Sequence, residues 1–190
     1  MDEPKPLDLA ALFALGSRVG DKLAARGETL AVAESSAGGL VSAALLSRAG
    51  ASAYYLGGAV LYTRRSRRLL TTLTSDDTVG MRSSSLPYAR LVARHQRTRF
   101  KASWGLAETG AAGPSGNTYG DPAGHTCLAV DGPAARERVL RTGRDDRAPN
   151  MIAFAVVALE LLDEAIDAAG APVVDVRPDA PSSQQEPGQA

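Results

Sequence analysis

The chain has 190 residues, 44% of them hydrophobic, with 21 basic and 21 acidic side chains that cancel to a formal net charge of +0. Such a length and apolar content suit one ordinary domain with a sizeable core, and the charge balance gives no general attraction to nucleic acid or to an anionic membrane. No run approaches the ~18 consecutive apolar residues of a membrane span, the acidic start "MDEPKPLDL" is unlike a secretory signal, and the single Cys127 excludes an intrachain disulfide or a cysteine-based zinc cluster. The reading is a soluble, cytoplasmic protein.

Leu9, Leu12, Phe13, Val19 and Leu23 form a helical stripe over 8–26, with Asp8 placed to cap its start and Gly27 to stop it. "TLAVAE" (29–34) is short, apolar and bounded by polar residues, which predicts a buried strand. A helix follows from Gly38 to Arg48, then a second strand "GGAVLYT" (57–63) and a helix starting in "RRSRRLLTTL" (64–73). Tyr88, Leu91, Val92 and His95 share one face of a helix over about 86–100, capped by Ser85, with Pro87 in its first turn. The pattern predicts His95 as a packed core residue.

"SWGLAET" (103–109) reads as a third strand and opens into the glycine-rich stretch "GAAGPSGNTYGDPAG". "HTCLAVDG" and "RERVLRT" read as two strands of a hairpin, with Cys127 a buried, inert thiol. Met151, Phe154, Ala158, Leu161 and Leu162 mark a final helix. Beyond Gly170 the composition shifts to "PDAPSSQQEPGQA", which predicts a disordered tail over 171–190 behind a single domain, 1–170. Alternating helices and buried strands imply helices on both faces of a mostly parallel sheet, with at least one antiparallel member near 125–142.

Ligands of open α/β sheets bind beyond the carboxyl ends of the strands, and two loops fit that position. "ESSAGG" (34–39) would bring glycine backbone and helix-start N–H groups to an anion, with Ser35 or Ser36 placed to attack a substrate. Its plainer reading is a serine N-cap in a strand-to-helix turn. The 110–124 stretch holds five glycines and two prolines, more than a simple connection needs, although it too can merely frame the strand ends. Between them, Arg64, Arg65, Arg67 and Arg68 follow Tyr62. A charge run is usually a solvated helix face, and that is the expectation for most of the four. His95 and His125 lack metal-ligand spacing, and there is no Walker motif or dinucleotide fingerprint, so no metal and no cofactor are expected.

Three stretches, "AESSAGGLVSAALLSRAGASAYYLGGAVLYT", "ETGAAGPSGNTYGDPAGHTCLAV" and the helix between them, resemble in order and spacing the C-terminal domain of the CinA (competence/damage-inducible) proteins, over about 8–165. This domain also occurs alone as nicotinamide-nucleotide amidohydrolase. The resemblance implies an α/β/α three-layer sandwich with a mixed sheet, and hydrolysis of the carboxamide of nicotinamide mononucleotide to nicotinic acid mononucleotide and ammonia. It also implies a small-molecule mononucleotide as ligand and a homo-oligomer. By position it assigns catalysis to Ser35, Tyr62 and Arg67, and substrate binding to Glu34, Ser36, Gly38, Gly39, Thr109, Gly110, Gly113, Pro114, Gly116 and Arg144. The sequence departs from the family pattern at three places. Arg67 stands where the family has a lysine, Ser36 and Ala37 replace a cysteine and a threonine, and "GRDDRAPN" replaces a "GDR…R" pattern. Arginine stays protonated and cannot serve as the general base that a lysine can, so the alternative expectation is a nucleotide-binding module of the same fold with altered catalysis.

Overall fold

The computed structural model describes residues 8–170; the tail expected over 171–190 lies outside the described residues. The first helix, α1 (Leu9–Arg26), starts where the Asp8 side chain accepts from the Ala10 N–H at 3.0 Å and stops at Gly27, whose φ of 63° is the left-handed turn glycine permits. Strand β1 (Leu30–Glu34) follows, then α2 (Leu40–Leu46), β2 (Tyr55–Val60), α3 (Arg64–Leu70), α4 (Leu86–Phe100), β3 (Trp104–Ala111), β4 (His125–Asp131), β5 (Arg136–Arg141) and α5 (Arg147–Ala168). Every predicted element is present. Strand β2 begins two residues before its expected start, and α5 begins one turn before Met151.

The five strands lie in the order β2-β1-β3-β4-β5. β1 pairs in parallel with β2 and β3, while β4 is antiparallel to both β3 and β5, so four of the strands share one direction. One face carries Leu30 and Val32 of β1, Trp104 and Leu106 of β3, and Leu128 and Val130 of β4. These share a core with α1, α2 and α5. The other face carries Ala33, Ala107, Cys127 and Ala129 under α4. The period-two alternation of a strand separates the two sets. Small side chains on the second face let α4 come close: a Cβ added at Gly105 would stand 2.1 Å from the Ala93 carbonyl oxygen. The result is the three-layer α/β/α sandwich with a mixed sheet.

Several packing expectations change. Leu9 and Phe13 are exposed, because α1 turns Leu12, Leu15, Gly16, Val19, Gly20 and Leu23 inward instead. His95 is half-buried beside Thr72, and Gln96 takes the interior position on α4.

At the amino ends of the strands, Glu28 is buried under a bidentate contact from Arg26 (2.8 and 2.9 Å) and accepts the Trp104 indole N–H at 2.8 Å. Burial alone would raise its carboxyl; the Arg26 and Trp104 hydrogen bonds outweigh that and hold it below its ordinary 4.5. A carboxyl lowered on folding contributes stability above its unfolded value and loses it as pH falls through the folded one. Thermal melts taken between about pH 5 and pH 3 should therefore show a shallower acid loss for Glu28→Gln than for the wild type. Equal slopes would remove Glu28 from the account.

Candidate functional site

The chain leaves β1 by a sharp turn, and two buried carboxylates shape it. Glu34 accepts from the backbone N–H groups of Gly39 (2.9 Å), Val41 (3.0 Å) and Ser42 (2.9 Å) and from the Ser42 hydroxyl (2.5 Å), so it caps α2 from within. Burial pushes its carboxyl up, the Ser42 and Val41 donors oppose this, and repulsion from Glu108 adds to the rise. Glu108, from β3, binds the turn itself. It accepts the backbone N–H of Ser35 (3.0 Å) and Ala37 (2.8 Å), the Ser36 hydroxyl (2.5 Å) and, from β4, the Thr126 hydroxyl (2.7 Å). Ser36 is thereby committed to Glu108, whereas the hydroxyl of Ser35 is committed to neither carboxylate.

A second wall comes from the segment before α4. Ser84 has φ 60°, donates its N–H to Thr109 Oγ1 (3.2 Å), and its carbonyl accepts from His125 Nε2–H (3.1 Å) and the Cys127 thiol (3.4 Å). Burial pushes that thiol up to about 11, so it stays protonated and unreactive near neutrality. Arg82 and Asn117 both bind Asp121, which joins this segment to the glycine-rich loop. Burial would raise the Asp121 carboxyl, but these partners keep it below its usual range.

The third wall is closed by Arg147, the first residue of α5. It donates Nη1 to the Gly113 carbonyl at 2.7 Å and Nη2 to the Tyr62 hydroxyl at 3.0 Å. It thus straps the end of β2 to the loop after β3. Arg147→Ala should loosen that strap without unfolding the domain. Amide hydrogen exchange over 110–117 rises about tenfold while global stability falls by no more than about 1 kcal/mol, as for an exposed polar contact. Unchanged exchange in the loop would show that Arg147 restrains nothing.

Between these walls lies a cavity of ≈ 390 Å³ at the carboxyl ends of the parallel strands. Of the residues assigned from the sequence, Ser35, Ser36, Tyr62, Arg67, Thr109, Gly110, Gly113 and Gly116 line it. Glu34, Gly38, Gly39, Pro114 and Arg144 do not. Glu34 is consumed in capping α2, and Gly38 and Gly39 serve the turn with φ of 70° and 99°. Pro114 shapes the loop beside Gly113 rather than facing the hollow. Arg144 is exposed, and what it supplies inward is its backbone carbonyl, to Asn150 at 2.9 Å. Arg147 occupies the place expected of Arg144, because the helix starts early enough to present it.

Arg64, Ser83, Tyr88, Asn117 and Tyr119, to which the sequence assigns no role in the site, share the lining. Arg64 was legible only as part of a charge run. Glu108, a carboxylate in an otherwise apolar strand, was the clearest available signal of a buried polar hub.

The lining is cationic. Arg64, Arg67 and Arg147 contribute to it and no Asp or Glu does. Hydrogen bonds from Ser83 and Arg64 bring the Tyr119 phenol below its usual value, with Arg67 adding to the effect, whereas burial pushes Tyr88 up against the opposing charge of Arg67. Such a hollow offers a free serine hydroxyl, backbone amides and guanidinium forks to an anionic ligand.

Comparison with known proteins fits this geometry. A "CinA-like protein" of Anaeromyxobacter dehalogenans (strain 2CP-C) is 40% identical over 141 residues, covering 74% of this chain and 35% of the relative. Another from Prochlorococcus marinus (strain MIT 9313) is 40% identical over 119 residues, covering 63% of this chain and 28% of the relative. The chain therefore spans about a third of the length of these curated relatives. Among solved structures, a CinA superfamily protein of Klebsiella pneumoniae 700603 superposes with a TM-score of 0.76 at 26% identity, covering 83% of this chain and 98% of that one. A competence/damage-inducible protein of Agrobacterium tumefaciens gives 0.75 at 27% identity, covering 87% and 99%. The family model described as the CinA C-terminal domain matches residues 13–166, and the chain belongs to that family.

Proposed function

We propose that the domain is a cytoplasmic amidohydrolase that converts the carboxamide of nicotinamide mononucleotide to the carboxylate, releasing ammonia. The observation that carries this reading is the uncommitted Ser35 hydroxyl in the lining of a cavity that holds three arginines and no carboxylate. Ser35 Oγ attacks the amide carbon, and guanidinium groups offset the charge that gathers on its oxygen. Collapse of the adduct expels the amine, which must gain a proton. The Tyr62 phenol, with Arg147 donating to its oxygen, passes its own hydrogen to the departing nitrogen, which leaves as ammonia, and takes up the Ser35 proton in exchange. Water then cleaves the acyl-serine and restores the hydroxyl. The ≈ 390 Å³ hollow lies within the range of small-ligand pockets.

A second reading, mononucleotide binding without turnover, is favoured by one feature: no lysine or histidine lines the cavity. Arg67 cannot accept the serine proton. The test is ammonia and nicotinic acid mononucleotide formation from nicotinamide mononucleotide by the purified protein, beside calorimetry with the same nucleotide. Product formation supports hydrolysis. Saturable binding without product selects the second reading, and absence of both removes the two together.

A further inference from the structure

The cations of the cavity stand on two walls of different character. Arg147 belongs to α5 and is engaged with Tyr62 and the Gly113 carbonyl, next to the backbone-rich stretch of Ser115, Gly116 and Asn117. Arg67 belongs to α3 and stands beside the Tyr88 phenol, with the largely buried Leu61 also in the lining. It is in no ion pair among the described residues, and its buried Nε has no hydrogen-bond partner. A ligand with a single anionic group can satisfy one wall and leaves the other uncompensated. An aromatic ring fits the Leu61–Tyr88 side, and whatever the ring carries there meets a donor-only guanidinium. A carboxamide brings N–H donors to that fork; a carboxylate brings acceptors alone and a compensating charge.

We infer that the cavity is matched to a ligand with an anionic group at each end, the acid form of the pyridine mononucleotide, with its ring carboxylate on Arg67 and its phosphate toward Arg147 and the glycine-rich loop. This rests on the mononucleotide reading of the cavity. It makes the deamidated nucleotide the tightly held species, so that release limits turnover, or, where turnover is absent, the domain reads the acid rather than the amide.

The test is calorimetric titration of Ser35→Ala, which suppresses conversion, with nicotinic acid mononucleotide and with nicotinamide mononucleotide, alone and combined with Arg67→Gln or Arg67→Lys. The acid is expected to bind about tenfold more tightly than the amide, the size of one charge-assisted contact. Arg67→Gln should bring the two affinities within about twofold by weakening the acid more than the amide, since the charge it removes is compensated only by the carboxylate. Arg67→Lys, whose amine is held in its charged form when the ligand's carboxylate lies against it, should retain most of the preference and shows that the position tolerates change. Equal affinities in the Ser35→Ala protein, a preference that survives Arg67→Gln, or equal weakening of both ligands overturns this assignment while leaving the mononucleotide reading standing. Binding of neither nucleotide overturns both.

Discussion

Glu108→Ala costs the domain about 3–4 kcal/mol of stability, measured by urea unfolding, and abolishes binding in the cavity. The carboxylate accepts from four donors: the backbone N–H groups of Ser35 and Ala37 on one oxygen, and the hydroxyls of Ser36 and Thr126 on the other. Alanine leaves them unpaired next to a side chain of β3 that is only 3% exposed. Each orphaned donor costs about 1–3 kcal/mol, and water entering the vacated space recovers part of that sum. Glu108→Gln provides the contrast. Its amide oxygen faces the two backbone donors, while its NH2 donates to the two hydroxyls, which rotate to accept. That reversal is open to a hydroxyl and closed to a backbone N–H. The expected loss for glutamine is about 1 kcal/mol, with the 35–37 turn intact. If alanine and glutamine were equally harmful, charge rather than hydrogen-bond geometry would be what holds the turn. If both were harmless, Glu108 would not organise the site.

The part of this arrangement legible in the sequence follows from local rules. Asp8 and Gly27 bound α1 by capping chemistry that depends on a few neighbouring atoms. The hairpin of β4 and β5 and the buried Cys127 follow from short-range patterning. The two loops of the site were legible because strand ends with excess glycine have few other uses. What stayed hidden depends on contacts far apart in the chain. Glu108 meets Ser36 across 72 positions, and Arg147 meets Tyr62 across 85. Periodicity carries no information about such pairs. Arg144 and Arg147 differ by less than one helical turn, so which of them reaches the cavity depends on where α5 begins, and helix starts are located from sequence only to within a few residues. Glu34 misled for a physical reason as well. A carboxylate at a strand end serves equally to bind a substrate or to satisfy the N–H groups of the next helix, and only the fold shows that its oxygens are already taken.

Ser35→Ala and Arg67→Lys should move ammonia release in opposite directions. Removing the nucleophile drops the rate by about 10³-fold or more, and the neighbouring hydroxyl of the same turn does not replace it, because Ser36 is bound to Glu108. Nucleotide affinity, carried by the arginines and loop amides, stays within a few-fold. Arg67→Lys acts on the missing proton acceptor. A lysine at position 67 shares the cavity with Arg64 and Arg147, whose charges favour its neutral form, as does removal from water. A neutral amine can take the Ser35 proton as the nucleophile attacks and return it to the departing ammonia, whereas a guanidinium can only stabilise charge. General-base assistance of this kind raises rates by about 10²–10⁴-fold, so a gain near the lower end is expected from a single substitution on an unadapted backbone. Combining Ser35→Ala with Arg67→Lys should return the rate to the floor, which separates chemistry at Ser35 from any route opened by the lysine alone. A Ser35→Ala protein as fast as the wild type removes Ser35 as the nucleophile. A lysine variant slower than the wild type shows that the guanidinium itself stabilises the reacting oxygen, and that its loss outweighs the base gained.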